Sequence, residues 1–279
     1  MSSRLLTELP GLVEQHGRLA MATVVSAVGS TPRETTARML VLEDGSIVGT
    51  IGGGKFESLV VADARKLLDS HGLPFTRDYD FVPTGENSFG AVCGGSATVL
   101  LEVVERAPRL LVVGAGHCGR ALARAAHFTG WDVTVADERP AQLDPAAFPE
   151  EVRLVQVKDD YSDLPVPAPR DSVAIVSRGH VTDGRAFRRL RGVPLAYLGM
   201  IGSKAKRKAL FDELRAEGFS EAELNRAHNP IGLEIGAESP EEIAIAIVAE
   251  LIATRRKAQG PSPYRTPAAT GARTGVSQP

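Results

Sequence analysis

Leu110-Leu-Val-Val-Gly-Ala-Gly-His-Cys-Gly-Arg120 is the stretch whose reading decides the fold. An apolar strand, 109–113, runs directly into Gly114-x-Gly116-x-x-Gly119, and a helical pattern, Ala121-Leu-Ala-Arg-Ala-Ala126, follows. A second strand, Val133-Thr-Val-Ala136, ends in Asp137. In this context each glycine has its own task. Gly114 permits the tight turn, Gly116 lets backbone approach a phosphate, and Gly119 lets the helix pack on the strand. The free N–H groups at the helix start form an anion site. Asp137 is placed to accept hydrogen bonds from ribose hydroxyls and to repel a 2′-phosphate, with a helix cap as the alternative role.

Outward from this unit the pattern continues to alternate. Strands are expected at 132–136, 152–157, 172–176 and 194–198, and helices at 119–129, 184–191 and 204–217. This is a Rossmann-like doubly wound parallel sheet, an α/β fold. Ser220-x-x-Glu223 and Ser239-Pro-Glu-Glu242 are capping boxes, the second with Pro240 at the first helical position. The helix that follows, Ile243-Ala-Ile-Ala-Ile-Val-Ala-Glu-Leu-Ile252, is apolar on nearly all faces and belongs in a core or a subunit interface. Upstream, strands near 19–28, 37–42, 46–50, 75–81 and 97–104 mix irregularly with helices at 4–17 and from the Gly52 loop to 68. That segment reads as a smaller α+β domain. The expected boundaries are 1–106, 107–258 and a disordered, Pro/Gly/Ser/Thr/Ala-rich tail at 259–279.

Composition narrows the function classes. Of 279 residues 43% are apolar, and the formal net charge is −2, so neither nucleic acid nor an acidic membrane is an expected partner. The two cysteines, Cys93 and Cys118, are too few for a disulfide framework. With no signal-like or membrane-spanning run, a soluble cytoplasmic protein is expected.

The first domain holds two more glycine loops. In Gly49-Thr-Ile-Gly-Gly-Gly-Lys-Phe-Glu57, three consecutive glycines (Gly52, Gly53, Gly54) before a helix gather several N–H groups around one anion. The Gly-Lys-Ser/Thr order of a Walker loop is missing. Glu57 either caps the helix or accepts hydrogen bonds from a heterocycle. Val92-Cys93-Gly94-Gly95 presents a thiol in a glycine-lined loop, where backbone groups favour its charged form. Ser30-Thr-Pro-Arg33 and Arg38 supply guanidinium forks suited to oxyanions. His117, inside the Gly114–Gly119 loop, and His180, just after the strand 172–176, lie at the ligand edge of the parallel sheet.

Taken together, these motifs resemble the XdhC/CoxI family. The resemblance runs through Gly29-Ser-Thr-Pro-Arg33, Ala37-Arg38-Met39, Gly49–Gly54, Cys93–Gly95, Val113-Gly-Ala-Gly-His117, Ser177-Arg-Gly-His180, Leu198–Ser203 and Pro230–Ile243. It covers roughly residues 10–256. It implies a maturation factor without turnover of its own. Such a factor binds the molybdenum cofactor (molybdopterin) and protects it while a cysteine desulfurase exchanges oxo for sulfur. It then delivers the cofactor to an apo xanthine dehydrogenase-type molybdoenzyme. On that resemblance the cofactor-binding residues are Arg33, Arg38, Gly52, Gly53, Gly54, Glu57, Cys93, Gly94, Gly95, Gly114, Gly116, His117, Gly119, Asp137 and His180. Cys93 is the candidate for contact with molybdenum, and the Rossmann loop holds either that cofactor or a separate nucleotide. A homodimer is expected from the apolar helix. Two other readings stay open: an NAD-dependent oxidoreductase, and a nucleotide sensor or scaffold. One departure stands out. The family pattern usually has glycine where this chain has Thr36, a substitution that matters if the position needs positive φ.

Overall fold

The computed structural model describes residues 2–29, 35–70, 72–81 and 95–256. The first domain is a five-stranded antiparallel sheet in the order β3-β2-β1-β5-β4. Its strands are β1 (Arg18–Gly29), β2 (Arg38–Val41), β3 (Ile47–Gly49), β4 (Phe75–Asp80) and β5 (Gly95–Glu105). Alternation along β1 decides which side chain meets which helix. Ala20, Ala22 and Val24 face α2 (Gly54–Ser70) and join Phe56, Val60 and Leu67 in one core. Leu19 faces α1 (Ser2–His16) and packs with Leu5, Val13, Leu40 and Leu42.

A short linker joins the end of β5 at Glu105 to the start of β6 (Arg109–Val113). The second domain is a six-stranded, wholly parallel sheet in the order β11-β10-β9-β6-β7-β8. The remaining strands are β7 (Asp132–Asp137), β8 (Arg153–Gln156), β9 (Ser172–Ile175), β10 (Tyr197–Met200) and β11 (Ala227–His228). The order reverses at β6, and the space past its C-terminal end is where ligands of such sheets bind. On one face α3 (His117–Phe128) and α7 (Pro240–Arg255) cover Val112, Val133 and Ala174. On the other, α4 (His180–Arg189) and α5 (Lys204–Ala216) cover Val113, Val173 and Leu198. Both expected capping boxes form, at Ser220 for α6 (Glu221–Asn225) and at Ser239 for α7.

Three expectations shift. The strand placed at 194–198 lies at Tyr197–Met200, preceded by two isolated bonds, the Arg170 N–H to the Pro194 carbonyl and the Ala196 N–H to the Asp171 carbonyl. The helix placed at 184–191 begins at His180, where buried Thr182 and Asp183 anchor its first turn. The strand β11 is two residues long, too short to leave a period in the sequence. The expected tail lies outside the described residues.

Thr36 has φ 76°, in the left-handed region that a β-branched residue rarely adopts. Its N–H donates to the Val24 carbonyl at 2.8 Å, beside the bulge in β1 at Val24/Ser26, which fixes the conformation from outside. Thr36→Gly is therefore expected to raise unfolding stability by about 1 kcal/mol. Urea denaturation measures it, and an unchanged or lower midpoint would show that the strain is compensated locally.

Candidate functional site

Strand registers bring the first-domain loops to one end of the antiparallel sheet. Gly29 at the end of β1 pairs with Gly95 at the start of β5, and the end of β4 lies beside them. At that same end β2 begins with half-buried Arg38, and β3 runs out into Gly52–Gly54. Arg33, Cys93 and Gly94 lie outside the described residues.

The triple-glycine loop does gather backbone N–H groups around an anion, and that anion is internal. Glu57 Oε2 accepts from Thr50 Oγ1 at 2.5 Å, from the Ile51 N–H at 3.2 Å and from the Gly53 N–H at 3.3 Å. The Gly52 N–H donates to Thr50 Oγ1 at 3.1 Å. Of the two roles for Glu57, the capping role is the one this geometry has. Gly52, Gly53 and Gly54 all have positive φ, which only glycine adopts without strain. A Cβ on Gly53 or Gly54 would meet nothing within 4 Å. The loop is thus prefastened from inside and open outside.

The Gly114–Gly119 loop divides its tasks as its spacing implies. Gly114 has φ 114°, and a Cβ there would lie 2.7 Å from the Val176 carbonyl oxygen. A Cβ on Gly119 would lie 1.8 Å from the Gly114 carbonyl oxygen, so helix and strand approach closely only with glycine. Gly116, the N-cap of α3, has open space around it and no side-chain cap. The α3 N-terminus, with exposed His117, is left available to an anion.

Asp137 departs from its expected role. Its side chain is completely buried, and both oxygens are engaged. Oδ2 accepts from the Ala115 N–H at 2.7 Å and from Arg139 Nη2 at 2.8 Å. Oδ1 accepts from the Arg139 N–H at 2.8 Å and from Arg139 Nε at 2.9 Å. Burial raises its pKa, but the Arg139 and Ala115 hydrogen bonds outweigh that, and the net shift is downward. Asp137 therefore fastens the glycine loop to β7 instead of meeting a ribose.

Around this loop the structure gathers groups that the sequence reading passed over. Arg139 and Arg178 flank Glu138 at 3.6 and 3.1 Å, and Tyr161 donates to its other oxygen at 2.6 Å. Ser177, beside Gly114, donates to Asp183 Oδ1 at 2.5 Å. Burial pushes Asp183 up to about 6, against opposing Ser177 hydrogen bonds and the Lys206 and His180 charges. The run Asp137-Glu138-Arg139 directly after a strand was the available signal for the first group. His180 is exposed at the start of α4. Cys118 is half-buried, and burial followed by the Glu241 charge pushes its thiol up, so it is held as the neutral form. Among the described residues no cluster of three or more His, Cys, Asp or Glu could hold a metal ion, and no helix is long and apolar enough to cross a membrane.

Among the described residues, the ion pairs that join the two domains lie at the linker. They are Arg109 to Glu14, Arg170 to Glu43, and Arg106 to Asp171. The triple-glycine loop and the Gly114–Gly119 loop both lie at strand ends that point away from it. They are two distinct loop ends within one chain.

The chain is thus a Rossmann domain with an uncapped glycine loop, preceded by a smaller antiparallel-sheet domain with a glycine loop of its own. The matching family models are the XdhC Rossmann domain over residues 110–251 and the XdhC and CoxI family over residues 12–80, and the chain belongs to this XdhC/CoxI family. It is 36% identical over 256 residues to the uncharacterized protein YqeB of Escherichia coli K12, covering 92% of this chain and 47% of that protein. It is 30% identical over 167 residues to a protein of Bacillus subtilis 168 described as a probable xanthine dehydrogenase subunit, covering 58% of this chain and 47% of that protein. The chain thus spans about half the length of these relatives. A crystal structure described as a xanthine dehydrogenase from Bacillus halodurans shares the fold, with TM-score 0.50 and 24% identity over 94% of this chain and 98% of that one.

Asp137→Ala is expected to lower stability by ~3 kcal/mol without any ligand present, because it strands the Ala115 N–H and the Arg139 guanidinium. A melting curve identical to that of the parent would return Asp137 to a ligand-facing role. Asp183 has a folded pKa above its unfolded one, so the folded chain holds an extra proton across the window from the ordinary aspartate value to about 6. Stability falls as pH rises through that window. Asp183→Asn should flatten this slope and gain on the order of 2 kcal/mol at pH 7, read from chemical denaturation at several pH values. A variant with the parental slope would place the titration elsewhere.

Proposed function

We propose that this chain is a maturation factor for a xanthine dehydrogenase-type molybdoenzyme. It binds the molybdenum cofactor, shields it during sulfuration by a cysteine desulfurase, and passes it to the apo-enzyme. The observation that carries this reading is the pair of open, internally fastened glycine loops in a chain of the XdhC/CoxI family. Molybdopterin offers a terminal phosphate and an anionic metal centre, and the chain offers matching partners for both. The uncapped α3 N-terminus at Gly116 suits a phosphate, with Arg139 and Arg178 nearby. Open space at Gly53 and Gly54, with Arg38 at the same sheet end, suits the other portion. Gly94, Gly95, Arg33 and Cys93 complete the set from the sequence, with Cys93 the thiol offered to molybdenum. When bound, the cofactor would supply the redox-active metal of the recipient enzyme, while this chain orients it and excludes water.

The NAD-dependent oxidoreductase reading is weakened by the closed position of Asp137, which leaves no carboxylate oxygen turned to a ribose. A homodimer is part of the proposal. The outer side of α7 leaves Ile245 58% and Ile252 36% exposed, and Leu233 and Ile235 are exposed as well.

The expected outcome is retention of molybdenum and pterin by the purified protein, at about one per chain, after incubation with released cofactor. Cys93→Ser should lower that retention or the activity of the reconstituted dehydrogenase, whereas Cys118→Ser, whose thiol burial keeps neutral, should do much less. Oxidation to fluorescent pterin and metal analysis are the readouts. NADH binding without pterin retention would favour the oxidoreductase, and equal behaviour of both cysteine variants would remove Cys93 from the site.

A further inference from the structure

At the linker side of the molecule a cleft of about 660 Å³ opens between the two domains. It is lined by residues at the N-terminal ends of the parallel strands, Pro108, Ser172 and Tyr197 among them, and so lies at the edge of that sheet opposite the Gly114–Gly119 loop. Five arginines line it: Arg18, Arg106, Arg170, Arg255 and Arg256, against one acid, Glu105. They arrive from β1, the linker, the segment before β9 and the end of α7.

Two of the five have no counter-charge among the described residues. Arg18 and Arg170 share the single carboxylate of Glu43, at 2.7 and 2.5 Å, and Arg106 pairs with Asp171 at 2.5 Å. Neither Arg255 nor Arg256 has an ion-pair partner among the described residues. Three nitrogen donors of the lining are withdrawn from water and lack an acceptor among the described residues: Arg106 Nε, Trp131 Nε1 and Arg255 Nε. Trp131 is only 4% exposed, with the Arg255 guanidinium 5.7 Å from its ring centre. Buried donors without acceptors are costly, and their number in one place marks a location where an acceptor is wanted.

The helix dipole alone explains Arg255 and Arg256 at the end of α7. It does not explain the orphaned donors of Arg106 and Trp131. The chain that follows Arg256 is the wrong occupant electrostatically, since it carries Lys257, Arg265 and Arg273 and no Asp or Glu. Apolar parts of the wall come from Leu73, Pro74, Pro194 and Leu251.

We propose that this cleft binds a small organic anion, an apolar body bearing a phosphate or carboxylate whose oxygens meet the Arg255 and Arg106 side of the wall. Because the lining comes from both domains, such a ligand clamps them together. The site is separate from the glycine loops, and its existence does not depend on the cofactor reading.

Trp131 is the single tryptophan of the chain, so its emission reports on this cleft directly. The full-length protein is titrated with phenyl phosphate, benzoate, inorganic phosphate and neutral benzyl alcohol. Saturable change is expected with phenyl phosphate or benzoate, the tighter of the two identifying the oxyanion, and none with benzyl alcohol. Arg255→Gln should weaken binding about tenfold or more, and exposed Arg256→Gln several-fold. Lys208→Ala, on the exposed side of α5 and outside this lining, should leave it unchanged. Thermal melting without probe establishes that the variants are folded. Absence of saturable change with either aromatic anion, or parental affinity in both arginine variants, overturns the proposal. Inorganic phosphate binding as tightly as phenyl phosphate overturns its apolar half.

Discussion

The carboxylate of Asp137 holds the second domain's loop in place. It collects the Ala115 N–H and the Arg139 side chain inside a completely buried space. A buried charge is tolerated only when its lone pairs are met, and here four hydrogen bonds meet them. With Ala115 pinned to the end of β7, Gly114 must take φ 114° and Gly119 must lie against the Gly114 carbonyl. That packing in turn sets where α3 begins. The helix N-terminus at Gly116 then stays open to solvent without a cap of its own.

The first domain solves the same problem with Glu57. One carboxylate oxygen gathers Thr50, Ile51 and Gly53 from a loop that otherwise has three consecutive residues with positive φ. In both loops an internal carboxylate supplies order, and glycine supplies access. A binding loop ordered before its ligand arrives loses less conformational freedom on binding. Such ordering fits the carrier role proposed above. The molecule is accordingly polar in its organisation. The two loop ends point away from the linker, and the arginine-rich cleft occupies the linker side.

The parallel sheet was legible because β6 is a continuous apolar run leading into glycines that each have a distinct geometric duty. Ser220 and Ser239 announced their helices because a capping box is local chemistry. Thr36 was legible as a departure, and its φ of 76° shows why glycine suits that position. Asp137 misled because the same residue at the same strand end can face a ribose or turn inward. The choice is made by Arg139, two residues on, whose side chain folds back on it. Glu57 was open between two roles for a similar reason: one-dimensional spacing does not say which way a first-turn carboxylate points. The Arg178–Glu138–Tyr161 group depends on contacts between distant segments, of which the run Asp137-Glu138-Arg139 carries only part, and the sequence around Asp183 does not show its burial. The arginine cleft is the extreme case, its five arginines drawn from four separate stretches of chain.

The two glycine loops, fastened from within, are on this account the surfaces that receive the cofactor. Amide hydrogen exchange of the full-length protein, with and without released molybdenum cofactor, tests this most directly. The predicted result is added protection in peptides covering 50–57 and 114–120, with little change around the linker. Cofactor retention with unchanged exchange in both loops would contradict it.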